Sequence, residues 1–137
     1  MTCCMGEKYS WCQSQYEGVV YTDGEGKEYC LFHAPQGKKG MTLPQFNGKI
    51  LEEIGDAMYD KRRCDLSGTI FEGDIDFTSS HSFPDISFND GVFNGEAKLN
   101  NIVFAGSASF SNTKFVGDAS FVGSTFKEYT NFFLRNL

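Results

Sequence analysis

Phe93-Asn-Gly-Glu-Ala-Lys-Leu99, Phe104-Ala-Gly-Ser-Ala-Ser-Phe110 and Phe115-Val-Gly-Asp-Ala-Ser-Phe121 are three copies of one phrase, each eleven residues after the last. A looser copy runs from Phe126 to Phe132. Working outward, two interleaved apolar series keep this period. One is Leu66, Phe77, Phe88, Leu99, Phe110, Phe121 and Phe132; the other is Phe71, Phe83, Phe93, Phe104, Phe115, Phe126 and Leu137. Self-similarity at a fixed period is the signature of a solenoid, in which each repeat buries its apolar side against the next.

The local pattern is small-x-Phe, as in Ala108-Ser-Phe110 and Ala119-Ser-Phe121. Residues two apart share one side of an extended chain, so the small residue and the Phe both point inward. Cys64 heads the small series and reads as core filler. Between Phe77 and Phe88 the six-then-five spacing replaces five-then-six, in Thr78-Ser-Ser-His-Ser-Phe83-Pro84. The bulge has moved there, and His81 reads as an exposed turn residue. Gly73, Gly95, Gly106 and Gly117 follow the repeat and read as corner glycines rather than a phosphate loop.

This pattern resembles the pentapeptide-repeat family, over roughly Cys64 to Phe132. The resemblance implies that the small residue and the Leu or Phe two positions later line a right-handed, four-sided β-helix. Every second five-residue unit here carries one extra residue, such as Asp118, so eleven residues cover two faces and about 22 make one coil. A Cys-rich leader ending in Tyr29-Cys-Leu-Phe-His-Ala-Pro35, then a helix, then Asp65-Leu-Ser-Gly-Thr-Ile-Phe71 is similar to a common bacterial arrangement of such proteins, which implies the fold and says little of activity. The expected fold is mainly β: a right-handed quadrilateral β-helix over 64–137, preceded by a small Cys/His module over 1–40 and by a linker with one capping α-helix over 41–63.

In the leader, Gly18-Val-Val-Tyr-Thr22 and Lys27-Glu-Tyr-Cys-Leu-Phe32 read as two short strands joined by the turn Asp23-Gly-Glu-Gly26. The second ends in the C-x-x-H pair Cys30 and His33. The cysteines are five (Cys3, Cys4, Cys12, Cys30 and Cys64), and no export signal precedes them. An odd count in such a chain favours metal binding or burial over disulfides. Cys4, Cys12, Cys30 and His33, with Cys3 as the alternative to Cys4, would complete a tetrahedral Cys₃His set for a structural Zn²⁺. A segment this small buries little core, so a metal would supply folding energy that packing cannot. The alternative is that these thiols are small buried hydrophobes.

Thr42 precedes Leu43-Pro44, an N-cap followed by Pro in the first turn. Phe46, Ile50, Leu51, Ile54 and Met58 then recur at helical spacing, predicting an amphipathic helix over roughly 44–60. Its expected role is to cover the open N-terminal end of the repeat, where strand edges would otherwise invite aggregation. Lys61-Arg-Arg63 is expected to complement the helix dipole.

Net charge is −6. Residues 1–64 hold nine Asp/Glu against eight Lys/Arg, and residues 65–137 hold nine against four, so the repeat carries −5 of the total. Phosphates need basic partners, so direct nucleic-acid binding is not expected. There is no apolar run of membrane-spanning length and no apolar leader segment, so a cytoplasmic protein is expected. No P-loop, G-x-S-x-G, H-E-x-x-H or dinucleotide fingerprint occurs. No catalytic residue is assigned, and the expected role is a non-catalytic protein–protein interaction scaffold. The last coil ends without an evident polar cap. Phe133, next to inward Phe132, should face outward there, so end-to-end pairing or a homodimer through that coil is expected. Two alternatives stand beside this. The family resemblance implies that an acidic rod of this kind can mimic DNA and act on a type II topoisomerase. Or the zinc module docks the partner, with the solenoid as spacer.

Overall fold

The structure is a computed structural model that describes residues 3, 5, 8, 9, 11 and 19–132. The leader contains a two-stranded antiparallel hairpin, β1 (Tyr21–Thr22) and β2 (Glu28–Tyr29). Asp23 closes its turn by accepting the amides of Glu25 and Lys27 at 2.9 Å. The strand stops at Tyr29 rather than running on to Phe32, and Cys30–Ala34 is a turn closed by Ala34 N–H to Cys30 C=O at 2.9 Å.

Helix α1 spans Leu43–Asp60. Thr42 and Gln45 form a reciprocal capping box, and Pro44 sits in the first turn, where its missing N–H costs nothing. The buried stripe is Phe46, Ile50, Glu53, Ile54 and Ala57, so Leu51 and Met58 lie further round the helix than the apolar pattern predicts. Glu53 turns inward because Arg62 folds back to meet it at 3.2 Å. Arg62 therefore serves a carboxylate rather than the helix dipole, and the helix ends on Lys61 in the left-handed region.

From Cys64 onward the chain winds through about three turns of a β-solenoid made of two-residue strands. Four parallel sheets form its sides. One holds β3 (Cys64–Asp65), β7 (Ile86–Ser87), β11 (Ala108–Ser109) and β15 (Thr130–Asn131). The next holds β4 (Ile70–Phe71), β8 (Val92–Phe93) and β12 (Lys114–Phe115). The third holds β5 (Ile75–Asp76), β9 (Ala97–Lys98) and β13 (Ala119–Ser120). The fourth holds β6 (Ser82–Phe83), β10 (Val103–Phe104) and β14 (Thr125–Phe126). Partners are 22 residues apart, as in Ala108 with Ile86 and Thr130.

The interior is a set of aromatic columns. Phe71, Phe93 and Phe115 stack at 4.2 and 5.0 Å, and Phe88, Phe110 and Phe132 at 5.2 and 4.9 Å, all nearly parallel. Cys64 is fully buried at the head of the small inward column, opposite Ile86, and burial pushes its thiol up to about 12, as an inert core residue requires. At the corners, side chains of one coil take amides of the next: Asp74 accepts Glu96 N–H at 2.8 Å and Asn89 accepts Ser111 N–H at 2.9 Å. Gly95 sits so close to the coil before it that a Cβ would lie 2.4 Å from the Gly73 carbonyl carbon.

The displaced bulge is a 3-10 turn, Thr78–Ser80, followed by His81 at φ 58. Its consequence is local. Phe83 pairs with Phe104 at a spacing one residue short of the regular coil, and their rings meet edge-on at 77° instead of stacking. His81 is exposed. The turn lies under α1, where Leu51, Ile54, Gly55 and Met58 face Ser80 and Ser82 across a shallow groove.

Candidate metal centre

The first coil donates Cys64, Leu66, Ile75 and Phe77 N–H forward to the second coil, but on the β4 side each coil donates to the coil before it, and the first coil has none. In later coils, Val92 N–H reaches Thr69 C=O and Lys114 N–H reaches Gly91 C=O. In the first coil the equivalent amide, Ile70 N–H, reaches Phe32 C=O at 3.0 Å. The Cys30–Ala34 turn thus stands where a preceding coil would. Beside it, α1 inserts Phe46 between Phe32 and Phe71, and Asn47 donates to Asp74 C=O at 2.9 Å. The expected cap on the N-terminal end is present, and it has two parts, the helix and the C-x-x-H turn.

This turn gathers three potential ligands. Cys30 Sγ lies 3.3 Å and Cys3 Sγ 3.6 Å from His33 Nδ1, and all three donor atoms lie within 4.8 Å of one another. All three residues are buried. Cys3, the alternative to Cys4, is therefore brought to the site with Cys30 and His33; Cys4 and Cys12 lie outside the described residues, as does Phe133.

The surroundings fix the protonation of the ring. His33 Nε2 is 2.9 Å from Ser67 C=O, which can only accept, so Nε2 carries the hydrogen. Burial lowers the pKa of His33 and favours the neutral ring, whose Nδ1 then has a bare lone pair. Two sulfurs converge on that one lone pair. Two thiols could not both donate to it, whereas two thiolates and an imidazole can share one cation. A ligating histidine held by a backbone carbonyl through its other nitrogen is the usual outer arrangement of a metal site.

The ring is also clamped by aromatics. Tyr9 stacks on it at 5.1 Å and Trp11 meets it edge-on at 5.3 Å. Trp11 Nε1 donates to the same Ser67 carbonyl at 3.2 Å, and Tyr9 Oη to Asp90 at 3.1 Å. The next residue, Gly68, has φ +75, and a Cβ there would fall 2.5 Å from the Tyr9 ring. The leader and the first coil share one core through these contacts.

The turn itself is polarised. The amides of Phe32 and His33 donate to Cys30 Sγ, and the carbonyls of Leu31, Phe32 and Ala34 all accept from the Lys39 ammonium, at 2.7, 3.0 and 3.0 Å. Lys39 is only 1% exposed, and its Nζ also lies over the Phe46 ring at 4.5 Å. Burial pulls its pKa down to about 8 against the opposing pull of Glu72 and Cys30. Burial likewise pushes the Cys30 thiol up to about 11, the two N–H···S bonds working against that rise. Lys39, Tyr9, Trp11 and Ser67 carry no sequence signal: a lysine in a Pro/Gly loop reads as solvated, and the partners of Ser67 are set only by the folded chain.

A solenoid with four sheet sides and a capped N-terminal end is the class this architecture defines. A family model described as pentapeptide repeats (9 copies) matches residues 88–133. Over that segment the chain is similar to the pentapeptide-repeat family. The match begins one coil after the solenoid does, leaving out the coil that holds the displaced bulge. No curated protein and no solved structure matches the chain.

Proposed function

We propose that this chain is a non-catalytic protein–protein interaction scaffold, a pentapeptide-repeat solenoid whose N-terminal end is closed by a zinc-held turn. The observation that carries the scaffold reading is the interior. Phenylalanine columns fill it, so the chemistry of the solenoid is confined to outward strand positions such as Ser82, Val103 and Thr125 on one side and Ser109 and Asn131 on another. Affinity capture with the intact chain, followed by rebinding of the purified partner, tests it. Four bait variants, Ser109→Arg, Lys114→Glu, Ser120→Arg and Val103→Arg, each mark one side. The expected result is a partner that one of them releases while folding is unchanged. Equal retention by all four would oppose the reading.

The zinc assignment is supported by distance. A tetrahedral ion with zinc bond lengths to sulfur and nitrogen places those donors about 3.6 Å apart, and the observed separations are 3.3 and 3.6 Å. Cys64 is fixed in the solenoid core, which leaves Cys12 or Cys4 for the fourth position, and with four protein ligands the ion would be structural.

End pairing through the last coil is supported by its apolar surface. Val116, Val122, Tyr129 and Phe132 are four of the large hydrophobics exposed among the described residues, and all lie in that coil. Sedimentation should show a dimer that Phe133→Asp or Val122→Asp converts to monomer; a monomeric wild-type chain would remove the idea.

The DNA-mimic alternative is favoured by one feature, the column Asp74, Glu96 and Asp118, one carboxylate per coil at one corner. Three coils at roughly 4.8 Å give a rod of only about 15 Å, and Lys98 lies beside the column, 3.6 Å from Glu96. Inhibition of a type II topoisomerase that is lost in the triple Asn variant would support this alternative over the scaffold reading; no inhibition would remove it.

If the leader itself docks the partner, charge reversal at Glu25 and Lys27 on the hairpin tip should abolish capture, with the four solenoid variants silent.

A further inference from the structure

We propose that Lys39 is a positioning residue for the metal centre, acting as the counter-charge and clamp of the Cys30–His33 turn; the inference rests on the metal reading above. The geometry is two-sided. On one side, three carbonyls of the turn converge on the Lys39 ammonium. On the other, the amides of Phe32 and His33 point at Cys30 Sγ. Aligning a turn in this way directs its positive amide ends at one sulfur, an arrangement suited to a thiolate and superfluous for a neutral thiol.

Lys39 is among the largest fully buried side chains, and no carboxylate forms an ion pair with it among the described residues. A buried cation without an anion is costly. Glu72 favours the Lys39 ammonium without forming an ion pair with it; a divalent ion held by three thiolates and one neutral histidine has a net charge of −1, which would add a second counter-charge. The same clamp fixes Phe32 C=O, which receives Ile70 N–H from the first coil. Lys39 thus ties the ligand turn to the solenoid edge through one shared carbonyl.

The test compares full-length wild type with Lys39→Met, which keeps the length and apolar stem, and Lys39→Arg, which keeps the charge. Zinc affinity is read by competition with a chromophoric chelator, and site geometry by the sulfur-to-cobalt charge-transfer band of the cobalt-loaded protein. Loss of an outer partner of a metal ligand typically weakens binding about 10–100-fold. Lys39→Met should show a loss of that size with an altered cobalt band, and Lys39→Arg should regain part of it. Wild type that binds neither zinc nor cobalt overturns the metal reading and this inference together. Wild type that binds metal, with Lys39→Met equal to it in affinity and spectrum, overturns the role of Lys39 alone. Should Lys39→Met not fold, amine labelling of the wild-type protein decides. Chelation should raise labelling of Lys39 while Lys49 and Lys114 stay unchanged; unchanged Lys39 labelling contradicts the proposal.

Discussion

At the scale of single residues, two glycines make opposite predictions. Gly95 is hemmed in by the backbone of the preceding coil, with a Cβ 2.4 Å from Gly73 and 2.5 Å from Asp74 N. Gly95→Ala should destabilise by about 1–3 kcal/mol, the usual cost of overpacking where backbone must shift. Gly55 lies in α1 with nothing within 4 Å of a Cβ, so Gly55→Ala should stabilise by roughly 0.5–1 kcal/mol through helix propensity. Urea unfolding of both variants checks the pair. Asp76 gives a pH prediction. Its carboxylate accepts the hydroxyl and amide of Thr78 at 2.6 and 2.9 Å, and these bonds hold its pKa below the ordinary aspartate range. The folded value lies below the unfolded one, so the stabilisation is present above the unfolded pKa and is lost as pH falls through the folded pKa. The stability difference between wild type and Asp76→Ala should be constant near neutrality and shrink in acid; a difference independent of pH would contradict it. The inward placement of Cys64 and the exposure of His81 were both legible in the repeat, because periodicity fixes which side a residue takes. The role of Lys39 was not, because three carbonyls from one turn converge only once that turn has formed.

At the scale of elements, the helix start was written in Thr42, Pro44 and Gln45, and Thr42→Ala should cost about 1 kcal/mol as the cap is lost, read as a lower melting temperature. The buried stripe was less legible. Glu53 looks like a solvent-side residue until Arg62, beyond the helix, returns to pair with it. The C-x-x-H segment reads as a strand end in the sequence, and it is a turn because its carbonyls are drawn to Lys39 and its Phe32 carbonyl to the first coil. Within the solenoid, Phe88 touches Phe71, Phe77, Phe93 and Phe110. Phe88→Ala should cost about 3–5 kcal/mol, since stacked columns leave little freedom for collapse around the cavity. The position of the bulge was visible in the sequence as a changed spacing. Its form, a 3-10 turn lodged under α1, depends on the helix packed above it.

At the scale of the whole molecule, a parallel solenoid must solve the problem of its ends. The N-terminal end is solved by substitution: Phe32 supplies the carbonyl, and Phe46 the aromatic layer, that a preceding coil would have supplied. Fold and coil length were legible from the eleven-residue phrase because each copy repeats the same inward pair. The Cys/His site was legible in part. Cys30 and His33 are adjacent enough in sequence to be read together, whereas Cys3 joins them across 27 residues, through aromatic contacts that no local spacing encodes. The partner surface leaves still less trace, since outward strand residues are free to vary without disturbing the core. Closure of the N-terminal cap by a metal is the central claim about this molecule. Native mass spectrometry of the full chain, with Cys30→Ser and His33→Ala beside it, tests that claim directly. The predicted result is one zinc ion per wild-type chain and its loss in both variants. A folded wild-type chain of metal-free mass would contradict it.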